Sequence, residues 1–200
     1  ASRAADLVRR MNEGATVVLV SDAGMPGVSD PGARVVAAAV QADIPVTVIP
    51  GAGAVETALV ASGLSTGTGY AFAGFAPRKA GELAAFIARI DTWGEPVVVF
   101  EGPKRVAALM RALADHDPDR QVAVCRELTK MHEEIIRGTA SALAERITDP
   151  LRGEVAVVIA PPSEPPPLDE DALAAALMPM IEAGMSPARA ADVVATLGAA

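Results

Sequence analysis

The chain has 200 residues, 51% of them hydrophobic and 21% charged, the balance of a packed soluble globule rather than a disordered chain. A formal net charge of −8 weighs against simple electrostatic adhesion to nucleic acid. The single cysteine, Cys125, excludes an internal disulfide framework and fits a reducing cytosol. No eighteen-residue apolar run free of charge or Pro/Gly interruption predicts a membrane span. The acidity is uneven. Residues 1–77 carry four basic and six acidic side chains, residues 78–152 twelve of each, and residues 153–200 one and seven, so the middle of the chain is free to present a basic face.

In chain order, the stretch from Ala5 to Met11 reads as a helix closed by Asn12-Glu13-Gly14. Val17–Val20 is β-branched and reads as a buried strand. Asp30-Pro31 suits a helix start, an N-cap followed by a residue whose missing N–H is not needed; the helix is expected to run to about Ala42. Val46–Ile49 reads as the next strand, and a third helix runs through Leu59 to a terminating Gly63. This rhythm is that of a parallel α/β sheet. Ser, Thr and Gly between Leu64 and Gly69 suggest a linker. Beyond it, strands are expected at Tyr70–Phe75, Pro96–Phe100, Gln121–Arg126, Glu134–Gly138 and Glu154–Ala160, with helices near 80–91, 103–114 and 140–148. Five prolines between Pro161 and Pro167 read as an extended linker, followed by two Ala-rich helices near 170–183 and 187–197. The expected division is a first α/β domain over 1–66, a second over 67–160, a Pro-rich linker over 161–170 and a helical module over 171–200.

Two glycine-rich turns follow the first two expected strands, Ser21–Gly32 and Pro50–Ala54. In open α/β sheets such loops line a crevice outside the carboxyl ends of the strands. Gly51-Ala52-Gly53-Ala54-Val55-Glu56 has glutamate where a dinucleotide fingerprint needs its third glycine, and no G-x-x-x-x-G-K-[ST] occurs, so neither motif is present. The first loop holds Asp22 and Asp30 and no cation before Arg34, which suits a positive or hydroxylated ligand better than a phosphate. S-adenosyl-methionine, with a sulfonium, an ammonium and ribose hydroxyls, fits that description. The alternative is that these glycines only permit tight turns.

Two charged clusters stand out, Glu101, Lys104 and Arg105 at one strand end, and Arg126, Glu127, Lys130 and Glu133 at another. They suit either substrate handling or plain ion pairing, with Arg126–Glu101 as one possible pair. Arg78 and Lys79 follow a strand. His132 lies in the second cluster. His116, among Asp115, Asp117 and Asp119, reads as a solvated loop residue. Two separated histidines and one cysteine make no zinc site, and no metal is expected. Phe72, Phe75, Phe86 and Phe100 fall within apolar patterns and read as core rather than as base-stacking platforms.

In this order, "VSDAGMPGVSDPG", "IPGAGAVETALVASGL", "GFAPRK", "VVFEGPKR", "CRELTKMHEE" and "GEVAVVIA" resemble the ribosomal-RNA branch of the tetrapyrrole (class III) methylase superfamily across nearly all of residues 5–160. The resemblance implies two α/β domains with S-adenosyl-methionine in the cleft between them, a homodimer, a cytoplasmic location, and 2′-O-methylation of a cytidine ribose in the decoding region of 16S rRNA. By motif it implies cofactor contacts at Asp22, Ala23, Met25, Gly51, Gly53 and Ala54. Transfer of a methyl group to a hydroxyl is an in-line displacement that needs alignment, a proton acceptor and stabilisation of an oxyanion. Glu101 and Glu127 are candidates for the acceptor and Lys130 for the oxyanion, with Arg78, Lys79, Lys104, Arg105, Arg126 and Glu133 toward the substrate. Three departures go with the resemblance. The opening "ATPIGNLxD"-type strand and loop is absent, so the chain is expected to begin about a third of the way into such an enzyme. The Lys/Tyr-rich last helix is cut short near Gly198. Lys104 stands where a histidine is usual. Alternative readings are a C-methyltransferase of a corrinoid or porphyrin precursor, which would take an anionic macrocycle, and a non-catalytic cofactor- or RNA-binding module.

Overall fold

A computed structural model describes residues 3–21, 24–29, 32–162 and 170–198. The described chain falls into two compact units, Ala1–Ser163 and Glu164–Ala200. In the second, α7 (Glu170–Glu182) packs on α8 (Pro187–Gly198), with Ala190 buried.

The first unit opens with α1 (Arg3–Asn12) packed on α2 (Ala33–Gln41) and continues with α3 (Ala54–Ser62). Gly32 is the N-cap of α2; the Asp30-Pro31 start lies outside the described residues. Gly63 ends α3 in the left-handed conformation, φ 75°, as its place after the last apolar turn predicts. Five strands follow, interleaved with helices: β1 (Ala71–Phe75), α4 (Ala80–Asp91), β2 (Val97–Glu101), α5 (Val106–His116), β3 (Gln121–Arg126), β4 (Glu134–Thr139), α6 (Ala140–Arg146) and β5 (Val155–Ile159). All five strands fall where the apolar runs place them. They form one mixed sheet in the order β1-β2-β5-β3-β4, parallel between β1 and β2 and antiparallel elsewhere.

Side-chain alternation along these strands divides the core between two faces. Val97, Val99, Val122, Val124, Val155, Val157 and Ile159 meet Ile87, Leu109, Met110 and Leu143 of α4, α5 and α6. On the other face Val98, Ala123, Cys125, Ala156 and Val158 meet Val55, Ala58 and Leu59 of α3. Three of those five sheet residues are Ala or Cys, so α3 can lie close against the strands. That puts its first turn at the sheet edge where β1, β2 and β3 end.

The first third of the chain differs from the sequence reading. Val17–Val20 and Val46–Ile49 run extended without strand partners among the described residues. Val20 is 79% and Ile49 85% exposed, and Ala39 is the one buried residue described before Gly51. β-branched composition favours an extended backbone, but a strand needs a neighbour to take its backbone hydrogen bonds.

At the far end of the sheet, Arg120 is buried and pairs with Asp91 of α4, with Asp117 at 3.0 Å and, through Nη1, with the Ala160 carbonyl at 2.8 Å. His116 is not a loop residue. It closes α5 with Nε2 against Asp91, and this network ties α4, α5 and the exit of β5 together. Among the described residues no helix is long and apolar enough to cross a membrane, and no group of His, Cys, Asp or Glu is arranged to hold a metal ion.

Candidate active site

At the carboxyl ends of β1, β2 and β3 lies a cleft of about 700 Å³. One side is built from the loop Gly24–Ser29 and from Gly51–Thr57, the turn and first residues of α3. The other is built from Tyr70, Phe72 and Phe75, from Phe100–Pro103, from Leu128–Lys130 in the β3–β4 loop, and from Gly153–Ala156 entering β5. The structure therefore brings both glycine-rich turns and both charged clusters to one cavity. Met25, Gly51, Gly53, Ala54, Glu101 and Lys130 line it. Asp22 and Ala23, the other two residues expected at the cofactor, lie outside the described residues.

The charged groups in the lining are three carboxylates, Glu56, Glu101 and Glu154, and one ammonium, Lys130. That balance favours a ligand with positive character. Glu56 is the third residue of α3, where the N-terminal helix dipole favours an anion. Its carboxylate folds over Gly53, at which a Cβ would fall 2.2 Å from Oε2. Its Oε1 accepts a hydrogen bond from the Tyr70 hydroxyl at 3.0 Å, which raises the phenol's pKa and keeps it protonated.

Glu101 ends β2 with its side chain only 3% exposed. The Gly102 amide donates to Oε1 at 2.6 Å, and Arg105 pairs with the same oxygen. Both of these contacts fall on Oε1. Burial pushes the carboxyl pKa up, against the opposing pull of the Gly102 amide, Arg105 and Arg78. The expected Arg126–Glu101 pair does not form. Arg126 instead faces Glu134 across the β3–β4 ladder and binds it at 3.0 Å, while its Nη1 donates to the Arg152 carbonyl at 3.4 Å.

Glu127 is not in the lining and serves there as a brace. Its Oε1 accepts from the Glu154 amide at 2.9 Å and from Lys130 Nζ at 3.1 Å, and its own amide donates to the Glu154 carbonyl at 3.0 Å. The Glu154 amide and then Lys130 hold its pKa below the usual carboxylate value. Lys130 is held between Glu127 and Glu154, the latter at 2.7 Å, and its pKa is raised by both. Glu133 Oε2 accepts from the Thr129 amide at 2.6 Å. Glu127 and Thr129 hold positive φ, 51° and 63°, a strained backbone kept in place by these bonds. Close approach makes Gly153 part of the same device, because a Cβ there would lie 2.3 Å from Glu127 Oε1.

On the substrate side Lys79 pairs with Glu82 at 2.8 Å. Arg78, Lys104 and Arg152 are exposed and form no salt bridge among the described residues. Arg152 precedes the lining residue Gly153, Lys104 follows the lining residue Pro103, and Arg78 acts on Glu101. These three exposed cations stand close in sequence to lining residues of a cleft whose interior is anionic.

The sequence reading placed four phenylalanines in the core. Phe86 is there, and Phe72 and Phe100 pack partly buried against the second core cluster, but these two also line the cleft with the exposed Phe75 in edge-to-face contact, with ring centroids 4.8 Å apart for Phe72–Phe100 and 5.7 Å for Phe75–Phe100. Regular alternation would put residues three apart on opposite faces of β1. Gly74, at φ 70°, breaks the register between Phe72 and Phe75 and so brings both rings to the cleft. The glycine inside "AFAGF" is the signal that points to this bulge.

Cys125 also borders the cleft, yet it is fully buried and burial pushes its thiol pKa up to about 11. At pH 8 about one thiol in a thousand is then ionised. We expect Cys125 to resist Ellman's reagent in the native protein and to react within seconds once the chain is unfolded in guanidinium. Rapid native labelling would contradict its burial.

A mixed sheet with a charged crevice at the carboxyl ends of its strands, flanked by two glycine turns of which neither is a phosphate loop, defines a class, and the comparisons name it. The model of the family Tetrapyrrole (Corrin/Porphyrin) Methylases matches residues 1–144, and the chain belongs to that family. Among solved structures it superposes on the methyltransferase CobJ with a TM-score of 0.59 at 18% identity, covering 80% of this chain and 70% of that one, a likeness of fold. More similar in sequence is the ribosomal RNA small subunit methyltransferase I of Mycobacterium tuberculosis, 45% identical over 161 residues, which are 80% of this chain and 56% of that protein. The protein of the same name from Coprothermobacter proteolyticus is 41% identical over 167 residues, 82% of this chain and 74% of that protein. The chain therefore spans a little over half of the Mycobacterium relative's length.

Proposed function

We propose that the cleft holds S-adenosyl-methionine and that the protein transfers its methyl group to the ribose 2′-oxygen of a cytidine in the decoding region of 16S rRNA. The observation that carries this reading is the carboxylate-rich interior of the cleft, with exposed cations close in sequence to its lining. Glu56, Glu101 and Glu154 suit the sulfonium and ammonium of the cofactor, while Arg78, Lys104 and Arg152, exposed and close in sequence to the lining, suit the phosphates of an RNA. The relatives' names supply the ribosomal substrate class. An anionic macrocycle would meet three carboxylates inside this cleft, which disfavours a tetrapyrrole substrate.

In this reading Met25, Gly51, Gly53 and Ala54, together with Asp22 and Ala23, hold the cofactor largely through backbone groups. When bound, the cofactor supplies the electrophilic methyl. The protein aligns the hydroxyl and receives its proton. Glu101 is the better acceptor of the two glutamates. Its recorded contacts fall on Oε1 alone and its pKa is raised, whereas Glu127 accepts two hydrogen bonds, lies outside the lining and has its pKa lowered. Lys130, presented to the cleft by Glu127 and Glu154, stabilises the developing alkoxide. Arg105 and Arg126 set the geometry of Glu101 and of the β3–β4 hairpin, Glu133 holds the loop between β3 and β4, and Lys79 adds to the exposed cations. The two walls of the cleft belong to the proposed domains 1–66 and 67–160. The protein is proposed to act in the cytoplasm as a homodimer.

The test is transfer of label from methyl-tritiated S-adenosyl-methionine to small ribosomal subunits lacking the modification. Label in a ribose-methylated dinucleotide that resists alkaline hydrolysis, at a cytidine of the decoding region, supports the reading. Label on a base, or none on RNA, overturns it.

A further inference from the structure

Six aromatic residues occur in the whole chain, and four of them, Tyr70, Phe72, Phe75 and Phe100, line this one cleft. Phe72 and Phe100 are half-buried, but Phe75 is 59% exposed. A large apolar ring left in water forgoes the burial that would favour the fold. Here the exposure is built in. Gly74 breaks the strand register, Phe75 sits in register opposite Phe100, and the edge-to-face contact with Phe100 holds the ring at the cleft mouth.

The surroundings say what would cover it. Phe75 begins the β1–α4 connection that also carries Arg78 and Lys79. That connection is tied to the β2–α5 turn by the Ala76 amide, which donates to the Phe100 carbonyl at 3.2 Å, and by Arg105 Nη1, which donates to the Ala76 carbonyl at 3.5 Å. Lys104 lies on that turn. An open aromatic ring on connections that also carry Arg78 and Lys104, exposed and without a salt bridge among the described residues, matches a nucleotide, with the base on the ring and its phosphates on the cations. The glycine turns assigned to the cofactor lie on other elements, Gly24–Ser29 and Gly51–Ala54.

We infer that Phe75 is the stacking platform for the target nucleobase, which leaves its RNA stack to bring the 2′-hydroxyl to Glu101. This rests on the reading that the substrate is RNA. Phe75→Leu removes the π-face from an exposed position, and Phe75→Tyr restores it. Affinity is measured by fluorescence anisotropy for a decoding-region RNA hairpin and for the same hairpin with an abasic site at the target cytidine. Cofactor affinity is measured in parallel by calorimetry. We expect Phe75→Leu to weaken binding of the intact hairpin by roughly 5- to 150-fold, the range for loss of one base stack, with Phe75→Tyr close to wild type. The loss should vanish on the abasic hairpin, and cofactor affinity should not move. An equal loss on both hairpins, no loss on either, or a loss of cofactor affinity would overturn the platform while leaving RNA as the substrate. No binding of either hairpin by the wild-type protein would overturn the RNA reading and the platform with it.

Discussion

Arg105→Met is expected to destabilise the fold by about 1–3 kcal/mol at pH 7, the range for leaving a buried polar group without its partner, because the glutamate is buried while the arginine's side chain is 30% exposed. The reason is the residue left behind. Glu101 ends a strand whose neighbours are packed on both faces, its side chain is 3% exposed, and Arg105 is the only cation that pairs with it among the described residues. Removing the guanidinium leaves the Gly102 amide as the carboxylate's remaining donor. The penalty should shrink as pH falls, because Glu101 can then take up a proton and escape the buried charge. It should also be mostly recovered in the double variant Glu101→Gln/Arg105→Met, in which no charge is stranded. Urea denaturation of the wild-type protein and the two variants at pH 7 and pH 5 measures both effects. A single variant as stable as wild type at pH 7 would mean that Glu101 is solvated rather than held by Arg105.

Glu101→Gln is expected to lower kcat by roughly 10²- to 10⁴-fold, the range for loss of a positioned proton acceptor, while leaving cofactor affinity nearly unchanged. The pH dependence has a definite sign. Burial raises the Glu101 pKa, and the acceptor must be deprotonated to act. Wild-type activity should therefore rise with pH along an acid limb that lies above the range of an ordinary glutamate, and the limb should be missing from the residual activity of the variant. The same shift has a stability consequence. With a pKa higher in the folded than in the unfolded state, Glu101 contributes stability that is fully present below the unfolded value and is lost as pH rises through the folded one. Glu101→Gln should accordingly flatten the stability profile across that window. An unchanged pH–rate profile in the variant would move the acceptor role away from Glu101.

Much of this was legible in the residues, and what was not has identifiable physical causes. β2 and β5 read as strands because "VVVF" and "VAVV" are short apolar runs buried on both sides. The same signal at Val17–Val20 and Val46–Ile49 has no ladder among the described residues, since composition does not supply a neighbouring strand. Sequence alone does not find the partner of Arg126, because hairpin register fixes it. Only once β3 and β4 pair does Glu134, eight residues on, stand directly opposite. Local ties such as Glu101–Arg105, four residues apart, are visible in principle from spacing alone. The aromatic wall was hidden by a single residue. Alternation puts Phe72 and Phe75 on opposite faces, and the Gly74 bulge puts them on one. The two glycine turns and the charged clusters were each recognisable, but the sheet order β1-β2-β5-β3-β4 is what gathers them at one end.

The most direct measurement is titration calorimetry of S-adenosyl-methionine into the protein and into Gly51→Leu. Gly51 lines the cleft, its φ is not in the left-handed region, and a Cβ added there meets no atom within 4 Å. A leucine should therefore leave the melting temperature within a degree or two of wild type while filling the space a ligand needs. Saturable binding to the wild-type protein and at least a tenfold weaker affinity in the variant are expected. No binding to the wild-type protein, or equal affinity in both, would contradict the assignment of this cleft as the cofactor site.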